Sequence, residues 1–146
     1  MVRKIQRSDK PEYMQLVRDF YAETDRIIPE DHIVSAYKEM MRGSNHLAAF
    51  VFINEGEKVG YALVSKTFSQ KAGGGVWWIE ELYVKPEYRG KGYATEFLTF
   101  LEANCPSYVK QLCIELDIDS ETDGTIYDKL GFKACDYCNM IRELNK

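Results

Sequence analysis

The sequence predicts a single α/β domain built on a mixed, mostly antiparallel sheet of six or seven strands with helices on both faces. Three observations carry this. The 146 residues suffice for one core of ordinary size and are too few for two comfortable domains. Trp77, Trp78, Ile79, Leu82, Tyr83 and Val84 form a near-continuous apolar run, the pattern of a strand covered on both faces. Around that run, stretches with helical rhythm alternate with stretches of strand rhythm, so both kinds of element share one core.

Met1 to Arg7 reads as a first strand, and Ser8-Asp9 as the cap of a helix with Tyr13, Leu16, Val17, Phe20 and Tyr21 on one face. A second amphipathic helix follows Pro29, carries Ile33, Ala36, Tyr37, Met40 and Met41, and ends at Gly43. Leu47 to Ile53 and Val59 to Ser65 are strands joined by Asn54-Glu55-Gly56-Glu57-Lys58, a loop suited to a hairpin. The run Gly73-Gly74-Gly75 reads as a mobile hairpin loop near an acceptor cleft, because no Gly-Lys-Ser/Thr ending or helix follows it to make a phosphate loop.

Downstream, Ala94, Phe97, Leu98 and Leu101 mark the buried face of a helix that must stop before Pro106. From Val109 the chain alternates, with Leu112, Ile114, Leu116 and Ile118 on one face and Cys113, Glu115, Asp117 and Asp119 on the other. Strand, helix and strand here form a crossover, which makes the two strands parallel if they are neighbours. Ser120 to Asp123 resembles a capping box for a last helix through Leu130, stopped by Gly131, and residues 132–135 and 138–144 supply closing strands.

Nineteen basic against 23 acidic side chains give a net charge of −4, without the basic excess of a dedicated nucleic-acid binder. The N-terminus lacks a signal-peptide core, and no segment approaches the roughly 18 apolar residues of a membrane span, so a soluble, cytoplasmic protein is expected. Its four cysteines, Cys105, Cys113, Cys135 and Cys138, are then expected to be reduced packing thiols. Cys135-x-x-Cys138 has the spacing of a redox motif, but no second pair or nearby His completes a metal site, and no metal is expected. Nothing in the composition chooses between a monomer and a homodimer.

Two features of the stretch from Trp77 to Ala94 point to chemistry. Glu80 and Glu81 interrupt the apolar run, and a carboxylate in such a place must find a partner, reach water in a cleft or take up a proton. The run then enters Arg89-Gly90-Lys91-Gly92-Tyr93-Ala94, where small residues let the backbone approach a ligand just ahead of a helix N-terminus. That turn has two readings, an anion cradle reinforced by Arg89 and Lys91 or an ordinary strand-to-helix loop.

Together these residues resemble the cofactor-binding segment of the GNAT family of N-acetyltransferases, whose signature is Arg or Gln, two residues, Gly, one residue, then Gly or Ala. Arg89, Gly92 and Ala94 fill it, and Tyr127 in IYDKLGF is similar to the family's usual C-terminal helix ending. The resemblance implies the acyl-CoA N-acyltransferase fold, acetyl-CoA as co-substrate and direct transfer to an amine. It places the coenzyme pyrophosphate on Arg89 to Ala94 and a carbonyl-polarising main-chain N–H, beside a bulge in the central strand, near Leu82, Tyr83 and Val84. It makes Tyr127 the acid for the leaving thiolate; a phenol with a pKa of about 10 is protonated at neutral pH. Its other reading is a packing residue.

For the amine's proton the family's position corresponds to Glu80, with Glu81 the other candidate. Strict strand alternation puts the two glutamates on opposite faces, and burial of Glu80 is expected to raise its pKa toward that of a general base. Where the family has Asn and Ala, this chain has Ser120 and Asp123; Ser120 can still cap the helix at the cofactor side. The acidic stretch after the first helix, with Glu23, Asp25, Glu30 and Asp31, either selects an amine cation or is a solvated loop. The acceptor is therefore expected to be a small cationic amine. A peptide acceptor and a non-catalytic acyl-CoA module are the alternatives.

Overall fold

The computed structural model describes residues 1–116 and 126–146, and divides into two compact units, residues 1–116 and 117–146. In the first unit a five-stranded sheet runs in the order β1 (Val2–Lys4), β2 (Leu47–Asn54), β3 (Glu57–Ser69), β4 (Gly74–Val84), β5 (Val109–Ile114). The first four strands are antiparallel to their neighbours and β5 is parallel to β4, as the crossover requires.

Helices α1 (Lys10–Glu23) and α2 (Glu30–Met41) cover one face. Their apolar stripes, including Tyr13, Leu16, Val17, Ile33, Tyr37 and Met40, share a core with Ala49, Val51, Tyr61 and Tyr83. Helix α3 (Tyr93–Asn104) covers the other face, where Phe97 packs against Phe50 and Phe52 at ring-centroid distances of 5.5 and 5.6 Å. With apolar cover on both sides, β2, β3 and β4 need apolar residues on both faces, which explains their unbroken hydrophobic runs.

Local signals explain most element ends. The β2–β3 hairpin turns on Glu55 and Gly56, both with positive φ (49° and 82°), and Asn54 pairs with Glu57 across a two-residue turn. Helix α2 begins after Pro29 and ends at Arg42, ahead of Gly43. The first strand stops at Lys4, shorter than expected, because Arg7–Asp9 forms a 3-10 turn.

Asp9 makes no capping bond to α1 and is instead a buried anchor, 1% exposed. Its carboxylate accepts both ends of the Arg3 guanidinium at 2.7 and 2.9 Å and the Gln6 amide at 2.8 Å, with the Lys58 ammonium 3.5 Å away. The bonds from Arg3 hold its pKa at about 2. A carboxyl with a folded pKa below its unfolded value stabilises the fold above the unfolded value and loses that contribution as pH falls through the folded one. The roughly two-unit difference corresponds to about 2–3 kcal/mol. Asp9→Asn is therefore expected to destabilise the chain by that order at pH 7, and by progressively less between about pH 4 and pH 2, measured by denaturant unfolding at each pH.

Two expectations are corrected here. Gly74 and Gly75 are not part of a mobile loop: both lie buried in β4, and the connection is a closed turn in which the Gly73 amide donates to the Ser69 carbonyl at 3.0 Å. A Cβ on Gly74 would come within 2.3 Å of the Tyr108 carbonyl oxygen, so glycine is needed for close approach of backbone to backbone. In the second unit, residues 132–135 and 138–144 carry no strand pairing, so the described residues form five strands rather than six or seven. Their short apolar runs lack the ladder of main-chain bonds that makes a strand.

The expected last helix is described only from Ile126 to Lys129 (α4), followed by Gly131 at φ 90°. Its start, with Ser120 and Asp123, and the strand positions Asp117, Ile118 and Asp119 lie outside the described residues. Cys105 and Cys113 are half-buried, whereas Cys135 and Cys138 are exposed rather than packed. No described helix is long and apolar enough to cross a membrane.

Candidate active site

The site is organised by an irregularity in β4. Leu63 of β3 pairs with Glu81, whereas the next residue, Val64, pairs with Ile79. Glu80 is thus the extra residue of a β-bulge, and the face presented by the strand changes across it. Ile79 lies opposite Val64 on the α3 side, whereas Glu81, two residues on, lies opposite Leu63 on the α1 side.

The expectation from strict alternation is therefore overturned, since both glutamates reach the α1 side of the sheet. Glu80 Oε1 accepts from Ser65 Oγ at 2.5 Å, and Glu81 Oε1 accepts from Tyr61 Oη at 2.8 Å while its Oε2 accepts from Tyr21 Oη. Ser65, Leu63 and Tyr61 alternate along β3 on that one face. Glu80 is exposed rather than buried, and Glu81 is half-buried. Among the described residues, the hydrogen-bond donors to the Glu81 carboxylate are the phenols of Tyr21 and Tyr61.

The bulge also marks where β4 parts from β5. Their pairing runs from Gly75–Val109 to Ile79–Ile114 and, among the described residues, no further. From Glu80 to Val84 the β5-side edge of β4 has no strand partner among the described residues, and in that sense is open. Hydrogen bonding alternates along an antiparallel pair, and the Lys85 amide donates to the Val59 carbonyl at 2.8 Å. Counting back by twos commits Tyr83 and Glu81 to β3 and turns the main-chain groups of Leu82 and Val84 toward the open edge. The Val84 carbonyl fits, because it accepts from Arg89 Nε at 2.7 Å.

That same arginine ties the glycine turn to the rest of the site. Its guanidinium lies 5.6 Å above the Tyr83 ring and donates to Glu23 Oε2 at 2.6 Å, linking the turn to the last residue of α1. Gly90 and Gly92 both have positive φ (75° and 88°), and Gly92 is the N-cap of α3. No atom lies within 4 Å of where a Cβ on Gly92 would sit, so glycine there serves the backbone turn and leaves the helix N-terminus clear. Lys91 and Gly92 are exposed, whereas Tyr93 and Ala94 are half-buried.

Tyr127 belongs to the second unit. It is half-buried in α4, with its ring 6.1 Å from that of Phe132, and burial raises its pKa. Of the acidic residues after α1, Glu23 pairs with Arg89 and Glu30 with Arg18, so part of that charge is neutralised within the chain. Among the described residues no group of three or more His, Cys, Asp or Glu side chains could hold a metal ion.

Sequence reasoning missed Tyr21, Tyr61 and Ser65. Helical spacing places Tyr21 in the core stripe of α1, and Tyr61 falls within the apolar run of β3. The available signal was their type: a tyrosine, not a phenylalanine, in a buried stripe needs a partner for its hydroxyl, and a nearby unassigned carboxylate is a candidate.

The acetyltransferase (GNAT) family model matches residues 10–132, and the chain belongs to that family. It is an acetyltransferase.

The fold is similar to that of a possible acetyltransferase from Clostridium difficile 630, with a TM-score of 0.86 at 17% identity over 100% of this chain and 98% of that one. It is also similar to AAC(6')-Iy in complex with the bisubstrate analogue CoA-S-monomethyl-acetylneamine, with a TM-score of 0.81 at 17% identity over 99% and 98% of the two chains. A third is the ribosomal-protein-alanine N-acetyltransferase of Brucella melitensis biovar Abortus 2308, with a TM-score of 0.74 at 19% identity over 99% of each chain. No curated protein matches the sequence.

Proposed function

We propose that residues 1–146 form one domain that moves the acetyl group of acetyl-CoA directly to a primary amine of a small, cationic acceptor in the cytoplasm. The observation that carries this is the bulge at Glu80, which sets two carboxylates on the α1 side just where β4 becomes open. An ammonium has no lone pair, so the acceptor must be both held and deprotonated before it attacks, and two adjacent acidic groups suit those two tasks.

Acetyl-CoA brings the activated thioester; the chain's residues bind, orient and handle protons. The amides of Arg89 to Ala94, at the N-terminus of α3, hold the pyrophosphate, with Arg89 and Lys91 adding positive charge. The main-chain amides of Leu82 and Val84, on the open edge, and the adjoining Tyr83 line the acyl arm. A fixed N–H there stabilises the developing oxyanion without reorganising in the transition state. Glu80 takes the amine's proton. Tyr127 gives a proton to the leaving sulfur, and burial, which disfavours the phenolate, keeps it a donor through neutral pH. The likeness to AAC(6')-Iy supports a small-molecule acceptor; the likeness to the ribosomal-protein-alanine enzyme supports a peptide N-terminus as the second reading.

The test is calorimetry with acetyl-CoA, followed by thiol release on a panel of spermidine, kanamycin, lysine and an alanyl peptide. Absence of acetyl-CoA binding would sink the proposal. Gly92→Val is expected to weaken acetyl-CoA binding about tenfold or more, because a branched side chain at φ 88° strains the turn by on the order of 1–2 kcal/mol and crowds the helix N-terminus.

A further inference from the structure

We infer that Tyr21 and Tyr61 are positioning residues: their hydroxyls hold Glu81 as a stationary anchor for the acceptor's ammonium, which leaves the ammonium's proton to Glu80. This deepens the transfer reaction proposed above and rests on it.

The two glutamates are adjacent in sequence and share one side of the sheet, yet they are held differently. Glu81 has a phenol on each oxygen, one from the C-terminal turn of α1 and one from the middle of β3. These donors bind different oxygens and lie 60 and 20 residues from Glu81 in sequence, so two separate elements restrain both the position and the rotation of the carboxylate. Each oxygen keeps a second lone pair for an incoming N–H. Glu80 has one hydroxyl partner, Ser65, on Oε1, and among the described residues none is recorded for Oε2. It sits on the bulge, exposed, with an oxygen ready to receive a proton and room to carry it toward water.

The tyrosines are suited to this task. Tyr61 is fully buried and braced edge-on by Tyr13 at 5.3 Å, and Phe20 packs against both Tyr61 and Tyr21. Burial first, and then the hydrogen bond to Glu81 and its charge, push both phenols up, so both remain donors throughout the working pH range. Among the described residues, the titratable or charged groups facing the cluster are Tyr13 and Tyr21 from α1, Arg26 from the segment after it, Tyr61 from β3 and Glu80 beside it on β4.

The experiment uses the full chain, carboxyl-labelled at glutamate with carbon-13, with spermidine as the ammonium probe. Tyr21→Phe and Tyr61→Phe are each expected to move the Glu81 carboxyl resonance and leave that of Glu80 in place, whereas Ser65→Ala does the reverse. Spermidine is expected to shift the Glu81 resonance in the wild type and to need about tenfold higher concentration to do so in Tyr21→Phe. Tyr21 is half-exposed, so this variant keeps the test open if Tyr61→Phe fails to fold. An unmoved Glu81 signal in Tyr21→Phe overturns the inference, as does a wild-type Glu81 signal indifferent to spermidine. A chain that shows the expected carboxyl shifts but binds no acetyl-CoA keeps the positioning geometry and loses the transfer reaction, so the two failures are told apart.

Discussion

Glu80→Gln is expected to lower kcat by about 10²–10³-fold on an accepted amine, with acetyl-CoA affinity unchanged within about twofold. The amide keeps the shape of the side chain and accepts from Ser65, so the bulge and its hydrogen bond survive. What is lost is the ability to take up a proton. The pH dependence separates this from a structural effect. In the variant, turnover recovers as pH rises and the free amine becomes available, whereas a structural defect lowers kcat by the same factor at every pH. Glu81→Gln should behave differently, raising the acceptor's KM while kcat falls less, because it removes an anchoring charge and keeps the base. Steady-state thiol release between pH 6 and pH 9, both values roughly bounding the useful range, reads all three proteins. Near-normal turnover in Glu80→Gln would remove Glu80 from the mechanism.

The second large effect is expected from Tyr127→Phe, with turnover falling about 10²-fold, at the low end of the range for a lost general acid, and acetyl-CoA binding changing little. The low end follows from the leaving group. A thiolate, with an ordinary pKa of about 8.5, departs more readily than an amide or alkoxide, so protonation helps it less. The defect should therefore shrink as pH rises toward 9, where roughly half or more of free thiol is ionised anyway. Burial raises the Tyr127 pKa, so the wild-type acid itself stays protonated across that range and its titration cannot mimic the effect. The same ring packs against Phe132, and phenylalanine preserves that contact. A variant that loses acetyl-CoA binding and turnover together would instead indicate a packing role for Tyr127.

Both predictions depend on residues that the sequence brings forward with different completeness. Glu80 and Glu81 stand out as charges in an apolar run, and Arg89, Gly92 and Ala94 as a spaced signature, because each departs from its own neighbourhood. The positive φ of Gly92 and the parallel pairing of β4 with β5 likewise follow from local rules. The short turn at Gly73 does not, since only the approach of Tyr108, in the turn just before β5, makes a glycine-rich loop into a tight strand edge. Nor does the missing pairing of residues 132–144, because a strand exists only where another strand offers it a ladder.

By itself, then, the amino-acid sequence determined the hairpin at Glu55-Gly56, the helix after Pro29, the doubly covered central strand and the glycine turn that leads into α3. Each depends on φ preferences and apolar periodicity within a few residues. Only the tertiary structure decided which way the two glutamates face. Alternation along a strand is a local rule, but the bulge at Glu80 arises from the register between β3 and β4 and breaks that rule at the one position where it matters most. The hydroxyls that then distinguish Glu81 from Glu80 come from α1 and β3, and their convergence is a property of packing that no window of sequence contains.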